Sequence, residues 1–275
     1  MTRLRTIFAT PAAALMLVTI AVPAGIIGVY SVLSRGAYGG VELPWTLDNY
    51  SRLIDPLYGG IFVRSFALAA GATALCILLG FPLALFIAHS GTRKNLYLSL
   101  VILPFWTSFL IRLYAWMFLL RDTGLINTVL QSLGLIRQPL PLLYNNGAVL
   151  LGLVYGFLPF AVLPIYATLE RLDKSLLEAA ADLGARPISV LTRVTLPLCA
   201  PGIAAAAILV FVPSLGTYIT SDLLGGSKTI LIGNLVQNQF TTARDWPFGA
   251  AVSIVLMIVA VLLMFTARRR GEELL

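Results

Sequence analysis

Residue types that support catalysis or metal binding are scarce in this sequence. His89 is its one histidine, and its two cysteines, Cys76 and Cys199, are far apart in the chain. A serine–histidine triad needs a histidine beside the nucleophile, and a metal site needs clustered ligands. The segment Gly226 to Thr229 lacks the glycine directly before lysine that a phosphate-binding loop requires. The sequence therefore predicts no catalytic residues and no metal site.

A single cation lies within an otherwise apolar run. Arg112 is preceded by Phe105 and Phe109 and followed by Trp116, all at helical spacing. A charge in such a run must face protein or water rather than lipid. Arg112 is therefore either a residue that lines a polar path through this run or a structural residue paired with a carboxylate or with helix carbonyls. Trp116 either lines the same path or packs against neighbouring helices.

Tyr218 and Asp222 form a second candidate pair. Together with Phe211 and Leu215 they fall on one helical face, near Pro213, which interrupts the backbone hydrogen-bond ladder. A carboxylate beside a tyrosine ring attracts an alkylammonium ion through charge pairing and cation–π attraction. Asp222 suits equally well a helix end that caps the following turn. The sequence thus predicts a solute contact here, with capping as an equal alternative.

Long apolar runs must position these residues. Hydrophobic residues make up 59% of the 275 residues, and the mean hydropathy is +0.91, which leaves too little polar surface for a water-soluble protein. A helix of about 20 residues crosses a bilayer and satisfies its own backbone polar groups there. The predicted fold is an all-α integral membrane protein, a six-transmembrane-helix bundle forming a single domain over residues 1–275. The predicted spans are approximately residues 8–33, 62–88, 96–120, 148–169, 201–221 and 248–267.

Lysine and arginine near the span ends predict the orientation. Eleven lie on the side of both termini and seven on the other side, and the richer side is usually cytoplasmic. Both termini are therefore predicted to be cytoplasmic. Contact with anionic lipid headgroups explains the formal net charge of +7, so no nucleic-acid partner is needed.

Residues 170–200 form the longest polar segment on the predicted cytoplasmic side. Gly184 can adopt the left-handed conformation that ends a helix, and Pro187 suits the first turn of another. Leu196 and Pro197 are predicted to close this helix–turn–helix unit before the fifth span, so that the segment is held tightly and can transmit force. The first helix is predicted to be amphipathic, with apolar residues at helical spacing: Leu172, Leu176, Ala179 and Leu183.

This segment resembles the cytoplasmic loop of ABC importer permeases, whose pattern is E-A-A-x3-G-x9-I-x-L-P. Val194 in place of isoleucine is the one departure. The resemblance implies that Gly184 shapes the bend and that the preceding helix docks into a cleft on a separate ATPase subunit. An isolated Glu-Ala-Ala is more often a solvated helix, but glycine and Leu-Pro in register favour the coupling role. The implied coupling residues are Glu178, Ala179, Ala180, Asp182, Gly184, Leu196 and Pro197.

Four stretches are similar to the polyamine-importer branch of these permeases: Pro104 to Arg112, Asp182 to Pro187, Leu223 to Gly226, and Arg244 to Pro247. The resemblance implies an inner-membrane subunit that forms half of a pathway for spermidine or putrescine. It implies as partners a second homologous permease, two copies of the ATPase and an extracytoplasmic solute-binding protein. This chain is expected to bind no cofactor, since ATP and Mg²⁺ would belong to the ATPase.

Two alternatives stay open at this point. Thr217 stands where some polyamine permeases have an acidic residue, so the solute is alternatively another small molecule, such as an amino acid derivative or an opine. A secondary transporter is the less favoured alternative, because ion-coupling carboxylates near the membrane midplane would be expected and the predicted spans are almost free of acidic residues.

Overall fold

The structure is a computed structural model that describes the backbone of residues 2–272. Side chains are described for residue 11 and for residues 14–173 and 175–265. The side chains of Arg3, Arg5, Lys174 and Arg268 to Arg270, which contribute to the predicted charge bias, lie outside the described residues. Within the described part, helices dominate, and the sheet is a two-stranded hairpin.

The helices and strands follow one another with short connections. In chain order they are α1 (Thr2–Ser31), β1 (Leu33–Arg35), β2 (Val41–Trp45), α2 (Asp48–Arg52), α3 (Pro56–Ala88), α4 (Lys94–Ile102), α5 (Phe109–Leu120), α6 (Leu125–Ser132), α7 (Asn146–Glu170), α8 (Lys174–Asp182), α9 (Pro187–Val190), α10 (Leu196–Leu198), α11 (Ala200–Gly216), α12 (Ile232–Phe240) and α13 (Trp246–Glu272). Single 3₁₀ or π turns lie at Gly91–Arg93, Leu103–Trp106, Leu191–Thr195, Ser221–Gly225 and Gly226–Lys228.

Several of these helices have the length and apolar composition of a membrane span. Among the described residues, 4 qualify individually: Ala14–Ser31, Pro56–Ala88, Asn146–Glu170 and Trp246–Phe265. The number rises to 6 if each of two bent pairs is one span. The bent pairs are Gly91–Trp106 with Phe109–Ser132, at 86°, and Pro187–Leu198 with Ala200–Gly216, at 65°.

The third predicted span is not the continuous helix that its apolar run suggested. α4 ends at Ile102, a 3₁₀ turn follows, and Thr107 is extended before α5 begins at Phe109. Pro104 explains the break, because proline has no N–H to donate and its ring clashes with the preceding turn. Phe105 and Arg112 therefore belong to different elements, and the single helical face predicted for them is wrong.

The fifth predicted span is also shorter than expected. α11 ends at Gly216, and Thr217 is extended, with φ −74° and ψ 133°. Pro213 removes one backbone donor near this end, and glycine and threonine are weak helix formers. Tyr218 and Asp222 consequently lie beyond α11, so the helical face predicted to join them with Phe211 and Leu215 is wrong.

Two compact units divide the chain. Unit 1 comprises Met1–Gly60 and Leu235–Ala260, and unit 2 comprises Ile61–Asn234 and Val261–Leu275. In unit 1, strands β1 and β2 pair antiparallel with an irregularity between Leu33 and Ser34. Also in unit 1, the buried Asp245 forms a 2.9 Å ion pair with Arg52 and accepts the Phe248 N–H at the start of α13.

Helix α7 is central to the packing of unit 2, and its most extensive partner is α11. Gly202 permits this close approach, since a Cβ there would lie 2.3 Å from Thr168 Oγ1 and 2.9 Å from the Pro164 carbonyl oxygen. Cys76 and Cys199 are free thiols buried in the same apolar cluster.

Candidate functional site

Helix α8 begins with a side-chain cap. Asp173 precedes the helix, and its carboxylate accepts the Ser175 backbone N–H at 2.9 Å. A capping carboxylate satisfies one of the free N–H groups of the first turn and interacts favourably with the positive end of the helix dipole. Hydrogen bonds from the Ser175 backbone and side chain hold the pKa of Asp173 below its ordinary value. The cap is therefore ionised at neutral pH.

Gly184 ends α8 as predicted. Its φ is +79°, in the left-handed region that other residues rarely adopt. Its N–H donates to the Ala181 carbonyl at 2.9 Å, and the Ala185 N–H donates to the Ala180 carbonyl at 3.1 Å. These two bonds form a Schellman motif, which satisfies carbonyls that the helix leaves free. Pro187 then begins α9, again as predicted.

Three residues of the predicted apolar stripe face away from the rest of the chain, whereas Leu172 precedes α8 and packs against the buried cluster of unit 2. Leu176 is 48% exposed and Leu183 is 89% exposed, and Ala179 between them is also exposed. Glu178 and Asp182 are exposed on the same short helix. Exposed leucines beside carboxylates form a surface of the kind that a partner protein covers.

An open pocket lies behind the loop. It has a volume of about 640 Å³ and is lined mainly by apolar side chains of α3, α7, α8, α9 and the π turn after α9, including Leu177 and Leu191. Lys94 and Glu170, whose side chains form an ion pair, lie at this pocket. The loop is therefore not densely packed against the long helices of unit 2.

Leu196 and Pro197 lie at the end of the helical path that begins with α9, as predicted. The π turn Leu191–Thr195 runs into α10, which ends at Leu198, and α11 begins at Ala200 after a 65° bend. Pro197 occupies an early position of α10, where a missing N–H costs little. α9, α10 and α11 thus follow one another as one bent path.

A second pocket, of about 680 Å³, contains Arg112. Its lining comes from three regions of unit 2: the turn before α5 together with α5, helix α7, and the end of α11. The lining residues are Phe105, Thr107, Phe109, Arg112, Gly156, Phe157, Phe160, Pro213, Gly216 and Thr217.

Aromatic rings surround the guanidinium group of Arg112. Its central carbon lies 4.1 Å from the ring centroid of Phe105, 5.6 Å from that of Phe109 and 5.8 Å from that of Tyr155. Arg112 Nε and Nη1 are buried without a hydrogen-bond partner among the described residues. The predicted structural pairing with a carboxylate or carbonyl is therefore absent for these two nitrogens, and ring faces take its place.

The other predicted path residues lie outside this pocket lining. Trp116 packs edge-on against Tyr155 with a centroid distance of 5.5 Å. Tyr218 and Asp222 are exposed beyond the end of α11, and Tyr218 accepts the Asp222 N–H through its backbone carbonyl at 2.9 Å. The structure therefore does not bring Tyr218 and Asp222 into the pocket with Arg112.

Helix α7 supplies residues that sequence reasoning missed. Phe157 and Phe160 line the pocket, and Tyr155 contacts Arg112 without being part of the lining. All three lie within an apolar run and show no polar signal of their own. Gly156 makes room for the cluster, because a Cβ there would lie 2.8 Å from the Phe109 ring. The clustering of Tyr155, Gly156 and Phe157 was the one available sign that this face of α7 receives another aromatic side chain.

Comparison with known proteins shows which family the chain belongs to. Residues 77–270 match the family described as the binding-protein-dependent transport system inner membrane component. The chain belongs to this family. It is 46% identical over 245 residues to the spermidine/putrescine transport system permease protein PotB of Escherichia coli (strain K12), a match that covers 89% of each chain. It is 37% identical to the inner membrane ABC transporter permease protein YdcU of the same strain, over 82% of this chain and 76% of that relative.

The fold agrees with that of a solved transporter. A crystal structure of a bacterial alginate ABC transporter, in complex with an alginate pentasaccharide-bound periplasmic protein, matches with a TM-score of 0.76 at 18% identity. This match covers 98% of this chain and 94% of that one. The chain is therefore the permease of a binding-protein-dependent ABC importer, a multi-pass inner membrane protein rather than the ATPase. The predicted family and fold class are confirmed.

Proposed function

We propose that this permease imports a polyamine, spermidine or putrescine. It forms half of the pathway together with a second homologous permease. Its 46% identity to PotB supports this cargo, because the match extends over nearly the whole of both chains. Two copies of an ATPase subunit bind ATP and Mg²⁺ and supply the energy, and a solute-binding protein delivers the polyamine from outside.

The exposed face of α8 is the observation that carries the coupling role. Leu183 exposes most of its side chain immediately before the Gly184 bend, and Glu178 and Asp182 flank it with negative charge. This surface fits a cleft on the ATPase that offers apolar contact and basic side chains. Ala179 and Ala180 keep the helix thin enough to enter such a cleft. In this arrangement α8 and both termini of the chain are cytoplasmic.

Coupling follows from the bent path through Leu196 and Pro197. When the two ATPase subunits close, α8 moves with them and displaces α9, α10 and α11 as one connected unit. Helix α11 contributes to the Arg112 pocket through Pro213 and Gly216, and Thr217 follows directly, so this displacement reshapes the pocket. The permease thereby alternates between outward and inward access, with the pocket on the solute path.

Arg112, Trp116, Tyr218 and Asp222 are proposed to act at different depths of that path. Asp222 is exposed and attracts the cation on approach, with the ring of Tyr218 nearby in sequence. Arg112 and Trp116 lie by the aromatic pocket farther along α5.

The direct test is ATPase activity of the whole complex in lipid nanodiscs. The purified permease pair, the ATPase and the solute-binding protein would be assayed with putrescine, spermidine, amino acids and sugars. Stimulation by polyamines alone is the expected result. Stimulation only by another class of solute would refute the cargo while leaving the importer intact.

A further inference from the structure

The Arg112 side chain occupies a site suited to a different cation. Phe105 and Phe109 from the α5 region and Tyr155 from α7 present three aromatic rings to one guanidinium group. We call these three rings the aromatic cage. Ring faces carry partial negative charge and attract organic cations in general, including alkylammonium groups as well as guanidinium. The cage therefore has no chemical preference that restricts it to arginine.

In its present position the Arg112 guanidinium contacts three aromatic rings, but two of its nitrogen atoms form no hydrogen bond. Nε and Nη1 are fully buried and have no partner among the described residues. Leaving buried donors unpaired is unfavourable, because they lose hydrogen bonds to water without replacement. Withdrawal of the side chain into water or towards an acceptor would restore those bonds. The position in the cage therefore combines favourable ring contacts with the cost of two unpaired donors.

The burial of these two nitrogens also limits what can bind them. A solute carboxylate, or an acceptor from another subunit, cannot reach Nε or Nη1 while they have no accessible surface. Among the described residues that line the pocket, Arg112 is the one charged residue, and Thr217 and Thr107 add only hydroxyl groups. An anion site would offer several accessible donors, whereas this lining is mainly apolar and includes four phenylalanines: Phe105, Phe109, Phe157 and Phe160.

We propose that Arg112 is a tethered cation that closes the aromatic cage when no solute is present, and that the cage binds an alkylammonium group of the solute once Arg112 withdraws. This inference rests on the proposed polyamine cargo. Repulsion between the two cations prevents both from occupying the cage together. Arg112 is therefore a competitor of the solute rather than a ligand for it, and it hinders passage of other small cations through the empty pathway.

The test measures spermidine binding to the permease pair and ATPase in nanodiscs, without the solute-binding protein, by isothermal titration calorimetry. Arg112→Met removes the competing charge and keeps an apolar side chain of similar length. We expect its Kd to be at least about fivefold lower than that of the wild type, since the cage no longer has to be vacated. A Kd that is unchanged or higher, or absent binding, would overturn the proposal.

A second substitution tests whether Phe105 binds the solute or only supports the Arg112 side chain. Phe105→Leu is made in the Arg112→Met background, where no arginine remains to be held. If the ring binds solute, the Kd rises by about five- to thirtyfold, the ratio expected for a desolvated cation–π contact. If Phe105 only positions Arg112, the Kd does not change, and the proposal fails. Phe118→Leu in the same background is the matched control on α5, because Phe118 lies under Arg121 rather than Arg112.

Two further measurements distinguish the other ways in which the proposal could be wrong. Co-purification of Arg112→Met with the second permease should equal that of the wild type, and its loss would assign Arg112 to the subunit interface instead. Polyamine stimulation of the wild-type ATPase, with the binding protein present, tests the cargo independently of the cage. Absence of that stimulation would reject the proposed function, whereas stimulation with the wrong Kd pattern would reject the cage alone.

Discussion

Replacement of Gly184 tests the coupling loop most cleanly. A Cβ at this position would meet no other atom within 4 Å, so a substituted side chain has open space around it. The backbone, however, holds φ at +79°, which L-residues other than asparagine and aspartate rarely adopt. The effect of substitution is therefore conformational rather than steric. We expect the bent loop to be disfavoured in the order Asn, Ala and Val, with valine the worst.

The magnitude follows from the cost of the left-handed conformation. That cost is about 1–2 kcal/mol for an ordinary L-residue, which corresponds to about a five- to thirtyfold change in the equilibrium between bent and unbent loops. Solute-stimulated ATPase activity and uptake should fall by at most this factor in Gly184→Ala. Gly184→Asn should retain more activity than Gly184→Ala, since asparagine tolerates the left-handed region.

Gly134 provides a matched control. It also ends a helix, with φ +72° and open space around an added Cβ. Its N–H donates to the Gln131 carbonyl, and the Leu135 N–H donates to the Leu130 carbonyl, which is the same motif. Gly134→Ala therefore imposes the same backbone cost at a site outside the proposed coupling loop.

The assay is uptake into proteoliposomes that contain the complete importer, normalised to assembled complex. We expect Gly184→Ala to uncouple ATP hydrolysis from solute and Gly134→Ala to behave as the wild type. Equal loss in both variants would show that general destabilisation, rather than coupling, is being measured. Full activity of Gly184→Val would refute the coupling role of the bend.

Three other substitutions extend these tests. Gly202→Ala should lower the thermal unfolding temperature of the detergent-solubilised permease, because a Cβ there would lie 2.3 Å from Thr168 Oγ1. Overpacking of this kind costs about 1–3 kcal/mol. An unchanged unfolding temperature would contradict the close approach of α7 and α11. Leu183→Asp should leave that temperature unchanged but weaken co-purification with the ATPase, because Leu183 is 89% exposed in the isolated chain; undiminished co-purification would argue against docking by this face. The pKa of Asp173 is lowered by hydrogen bonds from Ser175, so its cap stabilises α8 above the unfolded pKa and is lost as pH falls through the lowered folded value. Amide exchange in α8 should accordingly accelerate at acidic pH relative to Asp173→Asn, which caps without titrating, and equal exchange at every pH would contradict this.

Local features of the coupling loop were predictable from the sequence. Gly184 and Pro187 act through their own backbone restrictions, which do not depend on distant residues. The helix–turn–helix geometry predicted around Gly184 and Pro187 is therefore correct. Pro197 is located less sharply by the same reasoning, because a proline is tolerated early in a helix as well as after its end, and the structure places it inside α10, just before the bend.

The Arg112 pocket was only partly predictable. Helical spacing correctly predicted that Phe105, Phe109 and Arg112 are neighbours. They are not on one helix, however, because Phe105 lies in the 3₁₀ turn before α5 and contacts Arg112 across the break between them. Tyr155 reaches Arg112 through packing of α7 against α5, a contact between segments that hydrophobic patterning does not encode. Asp222 was predicted to line the solute path because a continuous helix would place it on one face with Phe211 and Leu215. Since α11 ends at Gly216, that continuous helix does not exist.

The central claim, that α8 docks on the ATPase, is tested most directly by labelling at position 178. The two native cysteines are buried, so Glu178→Cys adds one exposed thiol for maleimide. Labelling rates would be compared for the permease pair alone and for the pair assembled with its ATPase. We predict at least tenfold slower labelling after assembly, on the order expected when a site becomes inaccessible in most complexes. An equal rate in both preparations would contradict docking of α8 and with it the coupling mechanism.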